Sequence, residues 1–281
     1  ARTSEVDAIT LDGGDAMAVD DAGSTSGMLL LEVPRVVKAA ARQLKEKSTK
    51  TRIAAFHGLR QLVMTLPGCL TSHAPALIPG LEKALKDTGS NPMRIEALLF
   101  LKHALASHPP TTFQPHVKVL IPPVVALADD RYYKTVSEAL RVLSEIVQLL
   151  RPEPPASSFA YESHVPVLYG VVERRLQAQD QDQEVKECAI TCMGLLVYHL
   201  ADHPAVNLTT ILPLLLERMR NEITRVTTVK TFALIAGAKL DVKLATPANG
   251  GPVLQLAVTE LCAFLRKSNR PLRQASLTAL D

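Results

Sequence analysis

Six times along this chain, at intervals of roughly forty residues, a basic residue opens an apolar helical pattern, and that recurrence restricts the fold more than any other feature. The anchors are Arg52, Arg94, Lys134, Lys186, Arg225 and Arg273, spaced 42, 40, 52, 39 and 48 residues apart. The two longest gaps coincide with the Pro/Ser-rich stretch 151–158 and with 246–252, where loop insertions are expected. Without them the period falls in the range of about 40–47 residues typical of stacked helical hairpins. Three residues after each anchor stand Ala55, Ala97, Ser137, Ala189, Thr228 and Ser276, all small. Seven residues after come Leu59, Leu101, Arg141, Met193, Phe232 and Leu280, large and apolar with Arg141 the exception. These two positions share one helix face. Small residues there allow close approach of a neighbouring helix, and large ones fill the seam with the next repeat.

Between the anchors run first-helix patterns over 71–86, 113–128, 164–176 and 206–220. They echo one another in Leu77-Ile78-Pro79, Leu120-Ile121-Pro122 and Ile211-Leu212-Pro213, with a weaker Val165-Pro166. Proline inside a helix removes a backbone hydrogen bond and favours a bend, so the repeated proline predicts a curved array. No single hairpin buries enough apolar surface to stand alone, and stability must come from stacking. The expected fold is all-α: a solenoid of about six hairpins in a right-handed superhelix, occupying 28–281, with the last repeat cut short.

Composition agrees. Hydrophobic residues are 47% of the chain but aromatics only 4%, with no Trp, so Leu, Ala and Val carry the core as in helix-on-helix packing. A formal charge of +3 is too mild to require nucleic acid or an anionic membrane. Four cysteines in 281 residues do not make a disulfide framework. The apolar run over 117–128 is interrupted by Lys118, Pro122 and Pro123 and is too short to span a bilayer. With no signal-peptide pattern at Ala1 and an end at Asp281 inside a periodic stretch, the chain reads as a piece of a longer intracellular protein. Residues 1–27 hold Glu5, Asp7, Asp12, Asp15, Asp20 and Asp21 against Arg2, a net −5, and are rich in Gly, Ser and Thr. That composition predicts a flexible acidic linker or loop insertion.

Catalytic and cofactor spacings are missing. There is no P-loop, dinucleotide fingerprint or nucleophile elbow, so no enzyme, cofactor or small-molecule substrate is expected. Cys188 and Cys192 sit one helical turn apart, a metal-compatible spacing, but nothing nearby completes a four-ligand site and buried apolar thiols are the simpler account. His199, Asp202 and His203 form the one dense His/Asp cluster, at a helix end ahead of Pro204, where cations suit the dipole. Four of the anchors follow acids in the preceding turn (Asp87 before Arg94, Asp129 and Asp130 before Lys134, Asp182 and Glu184 before Lys186, Glu222 before Arg225), which predicts an internal ladder of pairs. Two denser clusters, Arg218, Arg220, Arg225 and Lys230, then Arg266, Lys267, Arg270 and Arg273, lack an equal acidic run. They are either solvated helix faces or a positive stripe for an acidic protein partner. Neither has interleaved aromatics, so nucleic acid is not the expected partner.

Several runs resemble one known family. Leu120-Ile121-Pro122-Pro123-Val124-Val125-Ala126, Tyr133-Lys134-Thr135-Val136-Ser137-Glu138-Ala139-Leu140, Asp182-Gln183-Glu184-Val185-Lys186-Glu187-Cys188, Arg220-Asn221-Glu222-Ile223-Thr224-Arg225 and Arg270-Pro271-Leu272-Arg273-Gln274-Ala275 are similar to the cullin-associated and neddylation-dissociated proteins. The resemblance covers roughly 28–281, and the acidic Asp15-Ala16-Met17 segment sits where that family carries an acidic insertion. It implies a central stretch of a HEAT-repeat solenoid that binds the cullin and RING-box subunits of ubiquitin ligases lacking the ubiquitin-like modifier. It further implies exchange of substrate-receptor modules, without catalysis, membrane or nucleic acid, in cytoplasm and nucleus. Nuclear-transport receptors and phosphatase scaffolds share the architecture and are the rival classes.

Overall fold

The computed structural model describes residues 25–178 and 182–281; the acidic stretch over 1–24 therefore lies outside the described residues. Helices follow one another as α1 (Thr25–Gln43), α2 (Thr49–Thr65), α3 (Ala74–Leu85), α4 (Asn91–Ala106), the single turn α5 (Pro110–Phe113), α6 (Val117–Ala128) and α7 (Tyr133–Leu150). After them come α8 (Val165–Gln177), α9 (Gln183–Leu200), α10 (Leu208–Arg220), α11 (Arg225–Ala236), α12 (Val253–Phe264) and α13 (Arg270–Leu280). Six hairpins result among the described residues, with α2, α4, α7, α9, α11 and α13 as their second helices. Among the described residues the first helix begins at Thr25, three residues ahead of the boundary at 28 expected from composition. The two long gaps are loops: 151–164 ends in a short 3-10 turn at Glu162–His164, and the loop after α11 holds a two-residue antiparallel ribbon pairing Pro247 with Pro252. Gly250 and Gly251 turn that ribbon at φ of 105° and 137°, conformations open to glycine and strained for other residues.

Local chemistry sets where several of the helices start. Ser48, Ser90, Asp182, Asn207 and Asn269 each accept a backbone N–H of the first turn, at α2, α4, α9, α10 and α13 respectively. Pro79, Pro122 and Pro213 each occupy the sixth residue of their first helix, and the helix continues through all three. Pro34, Pro79 and Pro122 lie on the exposed side, where the carbonyls they leave unbonded face water.

Two layers form, and they are unequal. Successive second helices (α2 to α4, α7, α9, α11 and α13) pack far more intimately than successive first helices do. The layer with the closer approach is the inner side of a curved stack. The predicted small residues make that approach possible: Ala97, Ser137, Ala189, Thr228 and Ser276 are fully buried and Ala55 nearly so. Gly194 marks the tightest point. A Cβ built there would collide with the Cγ2 methyl of Thr231 on α11. Of the large residues, Leu59, Leu101, Met193 and Phe232 are buried, each contributing roughly 1.5–3 kcal/mol. Leu280 is exposed on the last helix.

The exception at Arg141 is a register slip of two residues. Glu138 on α7 meets Lys102 just as Glu96 on α4 meets Arg60, so the third repeat aligns with the second through an interval of 42 rather than 40 residues. In that alignment the small and large positions are Ala139 and Leu143, both fully buried, and Arg141 falls outside the apolar pattern. Among the described residues no helix is long and apolar enough to cross a membrane.

Candidate protein-binding surface

The charged side chains tie repeat to repeat. Arg52 donates to Asp87 at 3.1 Å and Arg94 to Asp130 at 2.8 Å. Two rungs of a ladder exist, each joining the cation of one repeat to the acid of the following turn, whereas Lys134, Lys186, Arg225 and Arg273 form no ion pair among the described residues. Asp87 does not serve Arg94, as adjacency in sequence suggested; it serves Arg52, one hairpin earlier. Both arginines are only about a tenth exposed, so these rungs are sheltered from solvent screening. A second ladder runs across the second helices: Arg60 to Glu96 at 2.8 Å, Lys102 to Glu138 at 3.8 Å, and Arg141 to both Glu138 at 2.5 Å and Glu184 at 2.7 Å. Burial raises the Glu145 carboxyl on the same helix as Glu138.

A third set of ties caps helix ends. Arg175, two residues before the end of α8, donates to the carbonyls of Ala128 at 2.7 Å and Asp130 at 3.2 Å behind α6. Arg218 occupies the same place on α10 and donates to Leu176 of α8 at 2.9 Å. Guanidinium groups at these carbonyls satisfy backbone acceptors that the helix itself leaves open and meet the negative end of its dipole.

The His/Asp cluster is a clasp. Arg151, just past α7, is 3% exposed and donates to Asp202 at 2.6 and 3.0 Å, to the carbonyl of His199 at 3.2 Å and to that of Pro155 at 2.5 Å. Its guanidinium lies over the ring of Tyr161 at 5.3 Å. His199 Nδ1 hydrogen-bonds the Arg151 carbonyl at 2.7 Å, and burial lowers its imidazole below the ordinary range. Hydrogen bonds from Arg151 hold the Asp202 carboxyl below the usual carboxylate range. The group pins the 151–164 loop across two repeats, and every member is spoken for structurally. His108 does the same work one pair of repeats earlier. Its Nδ1 faces the Ala104 carbonyl at 2.8 Å, so it carries the proton, and Nε2 accepts from the Leu70 N–H at 2.8 Å.

Cys188 and Cys192 are buried, and desolvation pushes their thiols up to about 11 and about 12, far from thiolate at neutral pH. Among the described residues no three His, Cys, Asp or Glu side chains gather as a metal site.

The eight basic candidates separate into two groups. Arg218 is taken up by Leu176, Arg220 pairs with Glu260 at 2.9 Å, and Arg225 donates to the Arg220 carbonyl at 3.0 Å while stacking 5.1 Å from the centre of the Phe264 ring. Arg273 donates to the Lys267 and Ser268 carbonyls at 2.9 and 3.1 Å. Lys230 on α11 and Arg266, Lys267 and Arg270 at the α12–α13 turn are instead exposed, with no ion pair to any described residue. Of the eight candidates, these four are the cations available to a partner.

A family model described as CAND1-like, TPR repeats matches residues 68–193, the stretch from the end of the first hairpin into α9. Cullin-associated NEDD8-dissociated protein 1 of Arabidopsis thaliana is 47% identical over 93% of this chain, a match that covers 21% of that protein. Cullin-associated NEDD8-dissociated protein 2 of Rattus norvegicus is 42% identical over 92% of the chain and 20% of its own length. Among solved structures, a designed armadillo repeat protein aligns with a TM-score of 0.61 at 16% identity, covering 89% of this chain and 98% of that one. That likeness fixes the fold alone, a stack of short helical repeats. The chain thus spans about a fifth of the curated relatives it matches, and it is a repeat-solenoid relative of the cullin-associated NEDD8-dissociated proteins.

Proposed function

We propose that this chain is part of a non-catalytic scaffold that binds cullin–RING complexes lacking the ubiquitin-like modifier and promotes exchange of their substrate-receptor modules. The observation that carries this reading is the 47% identity, along nearly the whole chain, to a protein named for cullin association. The physical account is consistent with it. Successive second helices build an extended inner surface, internal charges hold its curvature, and Lys230, Arg266, Lys267 and Arg270 remain exposed at one end for acidic groups of a partner. The partner is the cullin with its RING-box subunit, and the setting is cytoplasm and nucleus.

The test is a binding titration against unmodified and modified cullin–RING complexes. Tighter binding to the unmodified form is expected. Reversing Lys230, Arg266, Lys267 and Arg270 to Glu should weaken it while shifting the melting temperature by no more than about 4 °C, because exposed surface changes usually stay within ±0.5 kcal/mol each. Equal affinity for both forms, or none for either, would contradict the proposal.

A further inference from the structure

Arg60, Glu96, Lys102, Glu138, Arg141 and Glu184 on the second helices pair with one another; at the edge formed by the first two hairpin turns several charges have no such partner. A cleft of about 550 Å³ opens there, walled by Glu46, Lys47, Arg52, Lys83, Lys86 and Asp87. Arg52 is 9% exposed and fixed by Asp87 at 3.1 Å and Thr49 at 3.3 Å, so its guanidinium is a rigid part of the wall. Lys86 is occupied by Glu82 at 2.6 Å. That leaves Lys47 and Lys83 in the cleft, and Lys45 and Lys50 beside it, exposed and without an ion pair among the described residues. Glu46 is the single acid of the lining left to oppose them.

We propose that this cleft binds a carboxylate-rich segment of another protein, with Lys47 and Lys83 as its direct contacts. The residue types choose the ligand. The one arginine is 9% exposed and held by Asp87 and Thr49 through one amino group, so little of its guanidinium is presented to a ligand, and the lysines that remain are flexible point charges suited to scattered carboxylates. No aromatic side chain lines the cleft, so it offers no stacking surface for nucleic-acid bases. The inference is independent of the cullin reading, and its test contains no cullin.

Fluorescence anisotropy of a labelled oligoglutamate peptide, titrated with the full chain at low and physiological salt, measures the site directly. The Lys47→Glu/Lys83→Glu variant should bind about tenfold more weakly, since two exposed charge reversals remove on the order of 1.4 kcal/mol. Lys47→Gln/Lys83→Gln should lose an intermediate amount, and Lys239→Glu/Lys243→Glu, on exposed lysines of the α11–α12 loop, should bind as the parent does. Equal weakening in both Glu variants, or parental binding to an uncharged oligoglutamine, would overturn the proposal. So would duplex DNA bound more tightly than oligoglutamate through the same two lysines.

Discussion

Replacing Gly194 with alanine tests the closeness of the inner layer at one atom. Two opposed effects act. Alanine in a helix interior is favoured over glycine by about 1 kcal/mol. Against that, its Cβ would overlap the Cγ2 methyl of Thr231, which is 4% exposed and belongs to a branched side chain whose hydroxyl donates to the Thr227 carbonyl at 3.0 Å. Turning Thr231 away breaks that bond, and pushing the helices apart opens a seam whose neighbours Met193 and Val197 are fully buried. Overpacking of this kind costs about 1–3 kcal/mol, so against the propensity gain Gly194→Ala should destabilise by up to about 2 kcal/mol. The sign should then reverse in a Thr231→Ser background, which removes the offending methyl and keeps the hydroxyl. There Gly194→Ala should stabilise by up to about 1 kcal/mol. Chemical denaturation of the four proteins closes the cycle. Stabilisation by Gly194→Ala in both backgrounds would refute the close approach of α9 and α11.

Other consequences follow from the clasps. Arg151→Met should cost about 3 kcal/mol, from buried hydrogen bonds to the His199 and Pro155 carbonyls and the lost pairing with Asp202, itself half-exposed and able to rehydrate. In a chain this size that is a fall of roughly 6–12 °C in melting temperature; a change no larger than that of a surface substitution would rule the clasp out. His108 and His199 have imidazoles lowered by burial, so the folded state prefers them neutral. Their contribution is complete above the ordinary value of about 6.5 and is lost as pH falls below it, because a protonated His108 would set two N–H donors against each other at Leu70. Thermal melts between about pH 7.5 and 5 should decline, and the slope should flatten in His108→Gln/His199→Gln.

Much of the architecture was readable from residue spacing, because burial of small and large side chains on one helix face is a local, periodic property. Ala55, Ala97, Ala189, Thr228 and Ser276 all stand where the period places them. The third repeat misled because Lys134 imitates an anchor two residues ahead of the true one, and Arg141 was the symptom. Charge pairing was less legible for a different reason. Asp87 lies seven residues before Arg94 in sequence, yet the stack brings it to Arg52, and adjacency along a chain says nothing about which hairpin a turn meets. The clasp at His199 and Asp202 was visible only as a cluster, since the cation that organises it is 48 to 51 residues upstream. Likewise Arg218 and Arg225 looked like free surface charge; their acceptors are backbone carbonyls, which leave no trace in residue identity.

The central claim is that cohesion lies between repeats rather than within them, and residue-resolved hydrogen exchange of the free chain reads it most directly. Protection should be high in α4, α7, α9 and α11, which have a packed second helix on both sides, greatest at the central α7 and α9, and lowest at α2 and α13. Exchange that is uniform through all six hairpins, or strongest at the two ends, would contradict it.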